Sequence, residues 1–233
     1  MMSNRIGIIG AMDIEVDALI KDMTEREEKV ISSVRYVCGK LCGKDVVVAK
    51  CGIGKVFAAI CAQTMILEYS PSIIINTGVA GSLEKGFNVL DVAVAGSVVQ
   101  HDMDTSAIGD PKGLISGINV VYIDTCKKVS NALKTAAINV KCNVKEGIIA
   151  SGDKFMADAN EKALINKEFN AIACEMEGAS IGQVCYVNKV PFGVLRTISD
   201  GDGAEMDYTT FAPKAAMQAT EIVKEFIKIY SEV

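Results

Sequence analysis

Ile73-Ile74-Ile75-Asn76-Thr77-Gly78-Val79-Ala80-Gly81 is the stretch on which the fold turns. Three consecutive isoleucines leave no polar face, so a strand over 72–76 must be covered on both sides, as in a parallel sheet flanked by helices. The small residues after it read as a segment at the strand's carboxyl end, where a ligand can reach backbone N–H groups; a plain loop fits equally. Outward from this run, further strands are expected at Arg5–Gly10, Arg35–Leu41, Asp45–Lys50, Val92–Val99, Glu146–Ala150, Ala171–Cys174 and Phe192–Ile198. Longer amphipathic patterns between them predict helices at Ile14–Met23, Lys55–Glu68, Thr125–Asn139, Ala159–Lys167, Gly178–Asn188 and Thr210–Ser231. Gly43-Lys44-Asp45 marks a hairpin between two antiparallel strands. With no Pro/Gly/Ser linker or repeat, residues 1–233 read as a single α/β domain with a mixed, mostly parallel sheet.

The composition narrows the function. The chain has 233 residues, 50% hydrophobic and 23% charged, with a net charge of -5. That balance suits a globular protein and argues against a nucleic-acid or anionic-membrane surface, since both attract basic patches. The apolar run Ile6–Met12 is too short to span a bilayer and ends at Asp13 and Glu15, so the expected compartment is the cytoplasm. Eight cysteines and one histidine, His101, show no C-x-x-C pair, which predicts neither a structural zinc nor disulfides. His101 reads as a structural or interface residue.

In open α/β sheets ligands bind beyond the carboxyl ends of the strands. The segments there are Gly10–Glu15, Cys51–Lys55, Asn76–Gly81, Ser151–Asp153, Glu175–Glu177 and Ser199-Asp200. Gly52-Ile53-Gly54-Lys55 is not a P-loop, because Val56 stands where a Ser/Thr would hold magnesium; it reads as a tight strand-to-helix turn or a close backbone approach to a ligand. Glu175-Met176-Glu177 admits two readings: carboxylates that accept a sugar diol, or acids favoured by the helix N-terminus at Gly178. Asp200, before Gly201-Asp202-Gly203, is either a general acid or a turn-forming aspartate. Glu15 is placed to face the same cleft. Separated acids with no histidine among them suggest acid–base chemistry on a neutral substrate.

Taken in order, Ile6–Met12 with Glu15, Gly52–Lys55, Asn76-Thr77-Gly78-x-Ala80-Gly81, Ser151–Asp153, Glu175–Glu177 and Arg196-x-Ile198-Ser199-Asp200 closely resemble the 5'-methylthioadenosine/S-adenosylhomocysteine nucleosidases of the nucleoside phosphorylase superfamily. The resemblance implies a three-layer α/β/α fold, a homodimer, no cofactor, and hydrolysis of the N-glycosidic bond of 5'-thioadenosines. By position, Glu15 activates water, and Asp200, oriented by Ser199, protonates N7 of the leaving adenine. Glu177 binds the ribose hydroxyls with Met176 on the sugar, Phe155 stacks on the purine, and the Met156 backbone reads its edge. Arg196 helps hold the water site and Met12 lines the pocket. Two positions depart from the family: Val79 replaces a frequent serine, and Tyr208 stands for the usual phenylalanine near the 5'-substituent. Within His101–Leu114, a segment that reaches into the partner's pocket in the family, Thr105 and Ile108 are candidates for the thioalkyl end. Arg196 is expected nearer Glu15, keeping it ionised and leaving Asp200 with the raised pKa.

Two alternatives stay open. A phosphorylase on the same fold must hold a phosphate dianion, yet residues 10–20 contain no Lys or Arg and carry Asp13, Glu15 and Asp17. A catalytically silent nucleoside-binding protein would bind adenosine without turnover.

Overall fold

The computed structural model describes residues 4–200 and 208–231, with side chains in the second stretch from Thr210. In chain order its elements are β1 (Ile6–Gly10), α1 (Asp13–Asp22), β2 (Thr24–Ile31), β3 (Val34–Leu41), β4 (Lys44–Lys50), α2 (Lys55–Tyr69), β5 (Ile73–Ser82), β6 (Val92–Gln100), β7 (Tyr122–Asp124), α3 (Lys127–Asn139), β8 (Val144–Ser151), α4 (Ala159–Phe169), β9 (Ala171–Glu175), α5 (Gly178–Asn188), β10 (Phe192–Asp200) and α6 (Tyr208–Ile229). A short 3-10 turn occupies Ser106–Ile108.

The strands form one mixed sheet. β5 is its hub: it pairs in parallel with β1 and β10 and, at its far end, antiparallel with β9. Because β10 pairs with β6, β6 with β8 and β8 with β9, the five strands β5-β10-β6-β8-β9 close into a ring. The rest of the sheet fans out from β5 through β1, β4, β3 and β2. One face packs on α2 and α5 through residues such as Ala58, Cys61, Met65, Ala179 and Cys185. The other packs on α1, α3 and α6 through Leu19, Leu133, Val223 and Phe226. The expected α/β/α layering is present.

Local chemistry explains several element ends. Cys42 and Gly43, both at positive φ, make the two-residue turn between β3 and β4, since paired left-handed residues match the twist of a hairpin. The Asp158 side chain accepts the N–H groups of Asn160 and Glu161 at 2.9 and 3.0 Å and starts α4. Asn170 and Lys189 end α4 and α5 in the left-handed region.

Two strands carry no clear sequence signal. β2 is built on the mixed-sign run Glu25–Lys29, and its residues through Val30 are exposed, as suits a charged edge strand that resists pairing with another chain. β7 has three residues on the edge of β6. A third difference concerns the opening stretch itself: Thr77–Gly81 is not a loop but the continuation of β5, in register with Leu195–Asp200 of β10. Hydrogen bonding to β10 holds these small residues extended, and their lack of bulk lets the site's side chains cross them.

Candidate active site

The ends of β1, β5, β9 and β10 surround a cavity of about 340 Å³. Met12, Glu15, Val79, Phe155, Met156, Met176, Glu177, Ser199 and Asp200 all line it, so nine of the residues singled out in the sequence converge. Phe155 stands at the wall with about half its surface exposed, whereas Met156 is buried.

Glu15 is reached because Gly10 ends β1 and Met12 starts α1, which turns the chain back over the strand end. Its Oε2 accepts the N–H groups of Ala11 and Met12 at 2.6 and 3.0 Å, and its Oε1 accepts that of Val79 at 3.0 Å. Val79 thus serves Glu15 through its backbone, whatever its side chain. Glu15 is only 3% exposed. Burial pushes its pKa up, and the Arg196 charge and the three N–H donors offset this only in part.

Glu177 sits at the start of α5, 4% exposed, with Oε1 accepting the Gly54 N–H at 2.9 Å. The Gly52–Lys55 segment is therefore the strand-to-helix turn, with Gly54 at φ +100° so that its N–H faces the carboxylate. Asp153 fastens the same turn by accepting the Lys55 N–H at 2.8 Å. Burial first, then the charges of Glu175 and Glu15, push the pKa of Glu177 up to about 7 against the pull of Arg196 and Gly54.

Arg196 lies beside Glu15, as expected, and its charge pulls the Glu15 pKa down, but its hydrogen bonds go elsewhere. Its guanidinium does not hydrogen-bond Glu15; it donates to Glu175 and, at 2.5 Å, to Asn76 Oδ1, and it stands 3.5 Å from Glu177 Oε2. Burial outweighs its field at Glu15, so the pKa there is raised although the Arg196 charge pulls it down. Gly78 is what lets these groups meet: a Cβ there would collide with both the Arg196 guanidinium and the Glu15 carboxylate.

Asn76 and Glu175 are thus the hydrogen-bond partners of Arg196, and of the two readings open for Glu175 the helix N-terminus is the one its contacts match. Glu175 also accepts from Ser151 Oγ and from the N–H groups of Glu177 and Gly178, so it is the buried counterion that anchors Arg196. Their sequence signal was polar residues ending apolar strand runs. Asp200 lies near Ser199 Oγ, 3.1 Å from Oδ1, and forms an ion pair with Lys162 that nothing in the sequence foreshadowed.

Thr105 and Ile108 do not join this cavity within one chain. Thr105 Oγ1 donates to Asp110 at 2.8 Å inside its own segment, and Ile108 is 82% exposed. Tyr208 opens α6, but its side chain lies outside the described residues. His101 packs against Gly152, outside the cavity, and burial lowers its pKa. The eight cysteines, all within the described residues, are free thiols. Among the described residues no three His, Cys, Asp or Glu side chains group as metal ligands would, and no helix is long and apolar enough to cross a membrane.

Four carboxylates, Glu15, Glu175, Glu177 and Asp200, lining one largely apolar cavity over a sheet closed around β5, define a class, and residues 5–228 match the sequence profile of the Phosphorylase superfamily. The 5'-methylthioadenosine/S-adenosylhomocysteine nucleosidase of Shewanella loihica is 36% identical over 227 residues, covering 96% of this chain and 99% of its own. That of Staphylococcus aureus is 37% identical over 225 residues, 95% and 98% of the two chains. The chain belongs to the 5'-methylthioadenosine/S-adenosylhomocysteine nucleosidase family of that superfamily. Among solved structures, the nucleosidase from Neisseria meningitidis in complex with methylthio-immucillin-A has a TM-score of 0.93 at 32% identity, over 97% of this chain and 100% of that one. Futalosine hydrolase of Helicobacter pylori has a TM-score of 0.92 at 35% identity, over 98% and 99%.

Proposed function

We propose that the protein is an N-glycosyl hydrolase that cleaves 5'-methylthioadenosine and S-adenosylhomocysteine to adenine and the 5-thioribose product. The observation that carries this reading is the buried Glu15 carboxylate in the cavity that Glu177 and Asp200 also line. A raised pKa suits a general base working near neutrality. Glu15 takes a proton from water as its oxygen bonds to C1'. The C1'–N9 bond breaks with its electrons passing to the base, and Asp200 delivers a proton to N7, so adenine leaves neutral.

Glu177 accepts the 2'- and 3'-hydroxyls. Its charge and that of Glu15 favour the cationic sugar of the transition state, as carboxylates do in glycoside hydrolysis. Met12, Met176 and Phe155 supply an apolar wall that strengthens these charges by excluding water. Among the described residues the cavity's cation, Lys154, is paired with Glu161, which leaves a phosphate dianion poorly served. Glu15 repels it, and the Arg196 guanidinium is already engaged by Asn76, Glu175 and Glu177.

Absorbance measurement of adenine release in phosphate-free buffer tests the reaction. Full turnover without phosphate is expected; strict phosphate dependence would make the protein a phosphorylase, and binding without release would make it a nucleoside carrier. Including futalosine in the same assay ranks the 5'-substituents, since the H. pylori futalosine hydrolase is as similar in fold as the nucleosidases.

The working form is a homodimer. Ile53, in the turn before α2, and Val56, Phe57, Ile60 and Leu67 on the helix make an exposed apolar stripe, with Phe57 53% exposed. Ile53 also lines the cavity, so a second copy covering this stripe meets the site's edge, where the Thr105–Ile108 segment of the other chain completes the 5' end.

A further inference from the structure

Asp200 is gripped from two sides. Ser199 Oγ lies 3.1 Å from its Oδ1, and Lys162 Nζ donates to its Oδ2 in an ion pair whose side chains are only 14% and 12% exposed, Asp200 first. Every other cation paired with a carboxylate among the described residues, Arg196 and its partners apart, is more exposed than this lysine. The seat is shaped for it. The pair crosses Gly81, the register partner of Asp200, where a Cβ would stand 2.8 Å from Asp200 Oδ2 and 3.2 Å from Lys162 Nζ. The Asp158 cap fixes the first turn of α4, and the Lys162 N–H itself bonds the Asp158 carbonyl at 3.0 Å. Asp200 lines the cavity and Lys162 does not, so the ammonium stands behind the carboxylate rather than against a substrate.

We propose that Lys162 is a positioning residue for proton donation by Asp200, holding the oxygen that becomes charged when the proton leaves. This rests on the reading of Asp200 as the acid. In the step, the Asp200 O–H bond breaks and the N7–H bond forms. The electron pair stays on the Asp200 carboxylate, and Lys162 keeps its three protons throughout. The Lys162 ammonium is charged in both states, so when Asp200 turns from a neutral acid into a carboxylate the contact gains the attraction between two opposite charges in a half-dry seat. The contact therefore gains strength as the reaction proceeds, which is the condition for raising kcat rather than tightening substrate binding.

The test compares methylthioadenosine with a 4-nitrophenyl 5-methylthioriboside, whose leaving group departs without a proton. Lys162→Met should lower the ratio of the two kcat values by about ten- to a hundredfold, the worth of one hydrogen bond to a charged group, with KM for methylthioadenosine little changed. Lys162→Arg should recover most of the ratio. If the Met variant does not fold, Lys162→Gln gives the same comparison. Asp200→Asn is the reference and should depress the ratio more strongly. An unchanged ratio in the Lys162 variants beside a depressed one in Asp200→Asn overturns the proposal. An unchanged ratio in Asp200→Asn overturns the assignment of the acid itself.

Discussion

Replacing Glu177 by glutamine should stabilise the protein while disabling it. The structure sets the size of the effect. The carboxyl, ordinarily near 4.5, is pushed up to about 7 by burial and by the neighbouring Glu175 and Glu15 charges. Between those pH values the folded chain holds a proton that the unfolded chain has released. Stability from this group is therefore full below pH 4.5, falls as pH rises, and reaches its lowest level above 7. At about 1.4 kcal/mol per pH unit, the deficit at pH 8 is about 3 kcal/mol. Glutamine is neutral throughout, keeps an acceptor for the Gly54 N–H, and has no such slope.

Urea denaturation of both proteins at fixed concentration, from pH 4.5 to 8, measures it. The two should agree at the acid end, and the glutamine variant should lead by up to about 3 kcal/mol at pH 8, equivalent to roughly 6–12 °C in Tm for a chain of this length. Glu15, whose pKa is also raised, is present in both proteins and leaves the difference intact. The same variant should lose about 10²–10³ in kcat, the usual cost of removing one preorganised electrostatic contact. Parallel stability curves, or a less stable variant at pH 8, would show that Glu177 is not under strain in the empty site.

Two other perturbations separate the remaining roles. Glu15→Gln should cut kcat by about 10²–10⁴ on methylthioadenosine and on the nitrophenyl riboside alike, because both reactions need the water's base; rescue on the riboside would reverse the acid and base assignments. Phe57→Glu places a charge in the middle of the exposed α2 stripe and should convert the dimer to monomers in light scattering at micromolar concentration, with loss of activity. A fully active monomeric wild-type protein would refute the shared site.

The order of elements was legible along the chain because its periodicities are strong. Ile73–Ile75 cannot sit anywhere but between two layers, and the α6 face from Phe211 to Tyr230 repeats at helical spacing. Glu15, Glu177 and Asp200 were legible for a related reason: each ends an apolar run at the edge where such sheets bind ligands. The pattern was silent on β2, since an edge strand has no buried face to show and its charges read as a loop.

Other features belong to tertiary structure alone. Thr77–Gly81 is extended because β10 supplies hydrogen bonds from a segment more than a hundred residues away in sequence, which no local propensity encodes. Lys162 meets Asp200 because α4 lies beside the end of β10, and a lysine on a helix carries no local mark of a partner 38 residues on. The direction of the Glu15 pKa shift was decided the same way. The sequence supplied an arginine and a carboxylate, but only packing could send that arginine to Glu175 and Asn76 and leave burial as the stronger influence on Glu15. Residue type sets which titratable groups exist, and the depth and partners at which the folded chain holds them set the direction in which each pKa moves.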